Sequence, residues 1–77
     1  MTEERIKLLE IGDKIEIEIP SGKKDENEII IGEFLNTQIS IINGQLIVVY
    51  RYINKYGYQN TGYANVWQIK GIIPEQP

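Results

Sequence analysis

Seventy-seven residues, 42% of them apolar, with a net charge of −3, leave room for one domain and one core. The chain has no cysteine and no histidine, which excludes disulfides, thiolate and imidazole metal sites, a Ser-His-Asp triad and a thiol nucleophile. A chain this short buries only about 60% of the surface its unfolded form exposes, so stability must come from a dense core or from a partner subunit.

In chain order, the first predicted element is a short helix over residues 2–10. Thr2 is placed as an N-cap, Glu3 and Glu4 suit the positive end of the helix dipole, Ile6 and Leu9 share a face, and Gly12 stops it. Residues 14–19, KIEIEI, alternate strictly, with Ile15, Ile17 and Ile19 on one face of a strand and Lys14, Glu16 and Glu18 on the other. Pro20, Ser21 and Gly22 end it, and residues 23–28, KKDENE, read as a solvated loop. Asp25, Glu26 and Glu28 lack the spacing and glycine of a Ca²⁺-binding EF-hand loop.

Residues 29–35 predict a second strand, apolar on both faces, with Gly32 at a bulge or bend. Asn43-Gly44, between QISII and QLIVVYRYI, predicts a type I′ hairpin turn. The returning strand puts Leu46, Val48, Tyr50 and Tyr52 on one face and Ile47, Val49, Arg51 and Ile53 on the other. Residues 54–62 read as a turn or loop. Strand character resumes over 63–70, with Tyr63, Asn65, Trp67 and Ile69 on one face, and Ile72 and Ile73 follow Gly71.

Isoleucine at sixteen positions against a single alanine, Ala64, favours sheet over helix. The reading is therefore an all-β, mainly β chain. Residues 1–77 form a single small β-barrel domain of five or six strands, SH3-like, with a short N-terminal helix. No apolar run approaches the roughly 18 residues of a membrane span, and the charged start shows no export signal, so a cytoplasmic (intracellular) location is expected.

The Ile69-Lys70-Gly71-Ile72-Ile73 run is similar to the late "I-R-G" element of Sm-like barrels, and TEERIKLLE resembles their N-terminal helix. The resemblance implies five bent strands and a habit of ring formation through strand edges. Where that family places an Asp and an Asn for uridine binding, this chain reads Asn36-Thr37-Gln38 without the acidic residue. The resemblance therefore does not carry the RNA site over.

Charge divides the chain. Residues 1–33 hold ten acidic and five basic side chains, and residues 34–77 hold one acidic and three basic. All five tyrosines and the only tryptophan fall in the second part. The candidate binding residues are Arg51, Lys55, Tyr56, Tyr58, Gln59, Asn60, Tyr63 and Trp67, because aromatic side chains with Arg dominate binding hot spots. Tyr50, Tyr52 and Trp67 are weighed instead as cross-strand packing residues.

Serines and threonines without a base, and exposed carboxylates without an apolar pocket, give no catalytic constellation. The expectation is a non-catalytic interaction module with no cofactor and no metal. It binds a protein partner, a homo-oligomeric copy of itself included, through the aromatic hairpin and an open strand edge. A viral or mobile-element accessory protein is the analogous setting. Two other readings are nucleic-acid binding by a Sm-like or OB-like small barrel, and capture of a small ligand such as a nucleotide between subunits.

Overall fold

The computed structural model describes residues 1–22 and 26–74. Among these residues the chain forms a four-residue helix α1 (Glu3–Ile6), strands β1 (Lys14–Pro20), β2 (Asn27–Ile39), β3 (Leu46–Ile53) and β4 (Gln59–Asn65), a 3₁₀ turn (Val66–Gln68) and strand β5 (Ile69–Ile73). The five strands make one antiparallel sheet in the order β4-β3-β2-β1-β5. The sheet is not closed: β4 and β5 are its two edges.

Helix α1 is one turn. Thr2 Oγ1 accepts from the Arg5 N–H at 3.3 Å, as an N-cap should. Its value lies in Ile6, which is fully buried, and in Leu9 just beyond it, also buried. A helix this short is stable only through such packing. The turn that follows is tied to the sheet, with the Gly12 N–H donating to the Phe34 carbonyl at 3.0 Å and the Phe34 N–H to the Asp13 carbonyl at 2.8 Å.

In β1, Ile15 and Ile17 are completely buried while Lys14 is exposed and Glu16 and Glu18 are half-buried. Alternation at period two, with one face turned to the core, fixes this register, because a one-residue slip would exchange the faces. Ile15, Ile17, Phe34, Leu46, Val48, Tyr50, Ala64 and Ile69 form the core with Ile6 and Leu9. Each of the Ile, Leu, Val and Phe side chains among them contributes about 1.5–3 kcal/mol by leaving water.

The strand expected over 29–35, the polar stretch after it and the QISII strand are one continuous 13-residue strand. Its first half pairs with β1 and its second half with β3. The kink falls at Leu35, where the register against β3 shifts between Phe34 and Asn36. Gly32 is not the bulge; it pairs in register with Ile15. A Cβ there would stand 2.8 Å from Ile17 Cδ1 and 2.9 Å from Tyr50 Cδ2, so the glycine makes room for two core side chains. Asn27 and Glu28, expected in the loop, begin the strand. The rest of that expected loop, residues 23–25 with Asp25, lies outside the described residues.

The Asn43-Gly44 turn is also longer than expected. The Ser40 N–H donates to the Gln45 carbonyl at 2.9 Å and the Gly44 N–H to the Ser40 carbonyl at 2.8 Å. Residues 41–44 are thus a four-residue loop, with Gly44 at φ 72°, rather than a two-residue type I′ turn. Ile41 and Ile42 lie on that loop.

The strand expected over 63–70 is split by the 3₁₀ turn. Gln68 explains the break. Its Oε1 accepts from the Asn65 N–H at 2.8 Å, and its Nε2 donates to the Glu18 carbonyl on β1 at 3.0 Å. One amide both closes the turn and anchors it to the far side of the sheet, which lets the chain cross from β4 to β5.

Candidate functional site

The β3–β4 ribbon carries most of the predicted site. Its tip is a turn over residues 54–57 that ends in Gly57 at φ 85°, the pattern of a three-residue hairpin connection with a G1 bulge. The Gly57 N–H donates to the Asn54 carbonyl at 3.0 Å, and the Asn54 N–H to the Tyr58 carbonyl at 2.9 Å. Asn54 Oδ1 accepts from the N–H groups of Tyr56 (2.9 Å) and Tyr58 (3.0 Å). The tip is therefore built by its own asparagine. Tyr56 is 73% exposed and Tyr58 70%, and Lys55 Nζ lies 5.2 Å from the Tyr56 ring centroid, within cation–π range.

The remaining predicted residues do not converge on that tip. Gln59 and Asn60, expected in a loop, open β4 and pair with Ile53 and Tyr52. Tyr63 is the partner of Val49 and is 62% exposed on the outward face. Trp67 is on the 3₁₀ turn rather than a strand, and it stays 66% exposed. It lies at the opposite end of the ribbon from Tyr56, about 20 Å away along a seven-residue strand.

Tyr50 and Tyr52 behave as packing residues. Tyr50 is buried among the core side chains, Tyr52 is half-buried against them, and their ring centroids are 5.6 Å apart at 43°. Burial, then the neighbouring Tyr52, pushes the Tyr50 phenol above its ordinary value. Tyr50 needs two glycines: Gly32 beneath it, and Gly62 opposite it on β4, where a Cβ would overlap the ring at 2.6 Å from Cε2.

Arg51 is drawn into the sheet's outer face. Its Nη2 donates to Glu33 Oε1 at 2.9 Å, and Lys14 Nζ lies 3.4 Å from Glu33 Oε2. The Arg51 hydrogen bond outweighs desolvation and, with Lys14, holds the Glu33 carboxyl below its ordinary range. Arg51 Nε is buried and has no hydrogen-bond partner among the described residues. The guanidinium is thus partly committed to its own chain.

The two sheet edges differ in chemistry. β5 carries Lys70, which pairs with Glu18 at 3.7 Å, and Pro74 follows it. Both are common guards against unwanted strand pairing. β4, QNTGYAN, has neither charge nor proline.

Three features escaped the sequence reading. Gln68 could have been found from the Asn65-x-x-Gln68 spacing, which resembles a capping box. The fully exposed Ile41 and the 92% exposed Ile42 looked like strand because the turn was taken as two residues. Glu33 gave no signal as the centre of an ion-pair cluster.

Among the described residues no cluster of three or more acidic side chains is placed to hold a metal ion, and no helix is long and apolar enough to cross a membrane. No protein-family model matches the chain, and no curated protein or solved structure matches it either.

Proposed function

We propose that this chain is a non-catalytic protein-interaction module that accepts an extended segment of its partner along β4. The carrying observation is the combination of an unguarded outer strand, Gln59–Asn65, with Tyr63 exposed on it and Tyr56 and Tyr58 exposed at the turn that leads into it. An added strand would gain main-chain hydrogen bonds from the edge, and side-chain selectivity from the three rings. Tyrosine supplies wide contact at low entropic cost. The long bent β2 and the 3₁₀ turn before β5 support reading the sheet as a small SH3-like barrel that stays open beside β4.

Selection from a displayed random-peptide library tests this. Extended peptides rich in β-branched residues should be enriched. Their affinity should fall about tenfold or more for Tyr56→Ala/Tyr58→Ala, as for hot-spot residues, and for Thr61→Lys, which places a charge on the edge. Thermal stability should stay nearly unchanged for the tyrosine pair. A salt-dependent change in Trp67 emission on adding single-stranded oligonucleotides would speak for nucleic-acid binding instead. A collapse in melting temperature for the tyrosine pair would show that the rings are structural.

A further inference from the structure

At the end of the sheet away from Tyr56 and Tyr58, a different surface is exposed. Ile41 is 100% accessible, Ile42 92% and Ile39 61%. The loop that presents the two outermost isoleucines is held by local bonds: Ser40 Oγ accepts from the Ile42 N–H at 3.3 Å, and Asn43 Oδ1 from the Gln45 N–H at 3.0 Å. The side chains are thus held out in water, with nothing among the described residues to cover them.

Beside this knob is a groove of about 310 Å³, with Met1, Gln45, Leu46, Asn65, Val66 and Trp67 on its walls. Leu46 and Val66 connect its floor to the core, and Trp67 is 66% exposed at its side. Gln45 and Leu46 immediately follow the knob loop in sequence.

We propose that two copies of this chain pair through this end, with Ile41 and Ile42 of each seated in the groove of the other. Knob and groove lie side by side on one surface, so a two-fold rotation brings each onto its complement, the self-complementary pattern of an isologous dimer. The sizes agree. A cavity of about 150 Å³ accepts a six-carbon ring, and the eight side-chain carbons of two isoleucines fit a groove of twice that volume.

Charge favours the same arrangement. Two copies at −3 each repel, and the approach must avoid their acidic parts. Segments 36–50 and 56–69 contain no Asp, Glu, Lys or Arg. Glu3 and the Met1 α-ammonium, which donates to the Ile69 carbonyl at 3.2 Å, are the charged groups on the groove wall. Depletion of charge at the centre is what distinguishes interface cores from ordinary surface.

The apolar area of Ile39, Ile41, Ile42 and Trp67 is on the order of 500 Å², near the upper limit for a patch on a monomer. Two such faces together bury on the order of 1,000 Å², the lower end of specific interfaces and the class of weak, concentration-dependent pairing. A lipid surface is the competing occupant for two isoleucines and a tryptophan. Cationic side chains strengthen such binding, but segments 36–50 and 56–69 have none, and the Met1 α-ammonium shares the groove wall with Glu3 and is bonded to the Ile69 carbonyl.

The test is light scattering of the full chain from low micromolar to several hundred micromolar, with emission of Trp67, the only tryptophan, followed in parallel. The mass should rise towards twice 8.9 kDa, and the emission should move to the blue as the indole leaves water. Ile41→Asp/Ile42→Asp should hold the mass at 8.9 kDa and freeze the emission, while the dilute protein melts as the parent does. A parent that stays monomeric throughout overturns the proposal. So does a dimer that survives the double substitution, or Trp67 emission that responds to neutral or anionic vesicles and not to concentration.

Discussion

Replacing Gly62 by alanine sets two effects of opposite sign against each other. Gly62 has no positive φ, so backbone considerations alone make alanine stabilising by about 0.4–1 kcal/mol, through fewer unfolded conformations. Packing says the reverse. The new Cβ would fall on the Tyr50 ring, 2.6 Å from Cε2. The ring cannot retreat, because the space above Gly32 on its other side is already tight, with Tyr50 Cδ2 2.9 Å from where a Cβ would stand. Overpacking of this kind costs about 1–3 kcal/mol, and confinement on both sides places Gly62→Ala near the upper end. A chain of this length has a total stability of roughly 4–12 kcal/mol. At about 4–8 °C per kcal/mol for a small domain, the melting temperature should fall by about 10–20 °C. Thermal and urea denaturation followed by circular dichroism measure this directly. The companion variant is Gly62→Ala with Tyr50→Leu, which removes the ring. The two changes should be non-additive, with the double variant at least 1 kcal/mol, or about a factor of five, more stable than the sum of the singles predicts. A Gly62→Ala protein that melts at or above the parent, or strict additivity, would refute the account of Tyr50 as a ring held between two glycines.

Glu33 should titrate below the ordinary glutamate value of about 4.3, because Arg51 donates to it and Lys14 lies alongside. A depressed folded-state pKa means the stabilisation is complete above the unfolded value and is lost as pH falls through the folded one. NMR titration of the carboxyl carbon should show the low midpoint, and Arg51→Ala should raise it; a midpoint at or above the ordinary value contradicts the ion-pair geometry. At the tip, Gly57→Ala forces a Cβ into the left-handed region at φ 85° and should cost about 1–2 kcal/mol. Gly57→Asn should cost less, and equal melting temperatures for the two would remove the basis for the turn assignment.

Much of the architecture was legible where side-chain chemistry alternates cleanly. The Ile15, Ile17 and Ile19 series gave β1 and its inner face, and Leu46, Val48 and Tyr50 gave the inner face of β3. Reading failed where pairing overrides composition. Asn36-Thr37 looks like a break between two strands, yet it continues β2 because Val49 and Val48 lie opposite and pair with it. Gln59-Asn60-Thr61 looks like a loop for the same reason; as an edge strand it faces water and has no need of apolar residues. The aromatic site was read as one surface because its residues are close in sequence. The 3₁₀ turn and the length of β4 carry Trp67 away from Tyr56 and Tyr58. Whether β4 and β5 would meet depended on the bend of β2 and on Gln68, neither of which has a periodicity to detect.

The place of β1 between β2 and β5 bears on how the chain comes off the ribosome. Ile15 and Ile17 emerge well before their second neighbour, β5 with Ile69 and Ile72, which follows them in the chain by more than 50 residues. At about 5–20 residues per second, the nascent strand waits several seconds with one flank bare. Glu16 and Glu18 are already on it, and like charges on a bare strand discourage a neighbouring nascent chain from pairing there. When β5 arrives, Lys70 meets Glu18 at 3.7 Å. The same carboxylate that kept strangers away during synthesis then greets the proper strand.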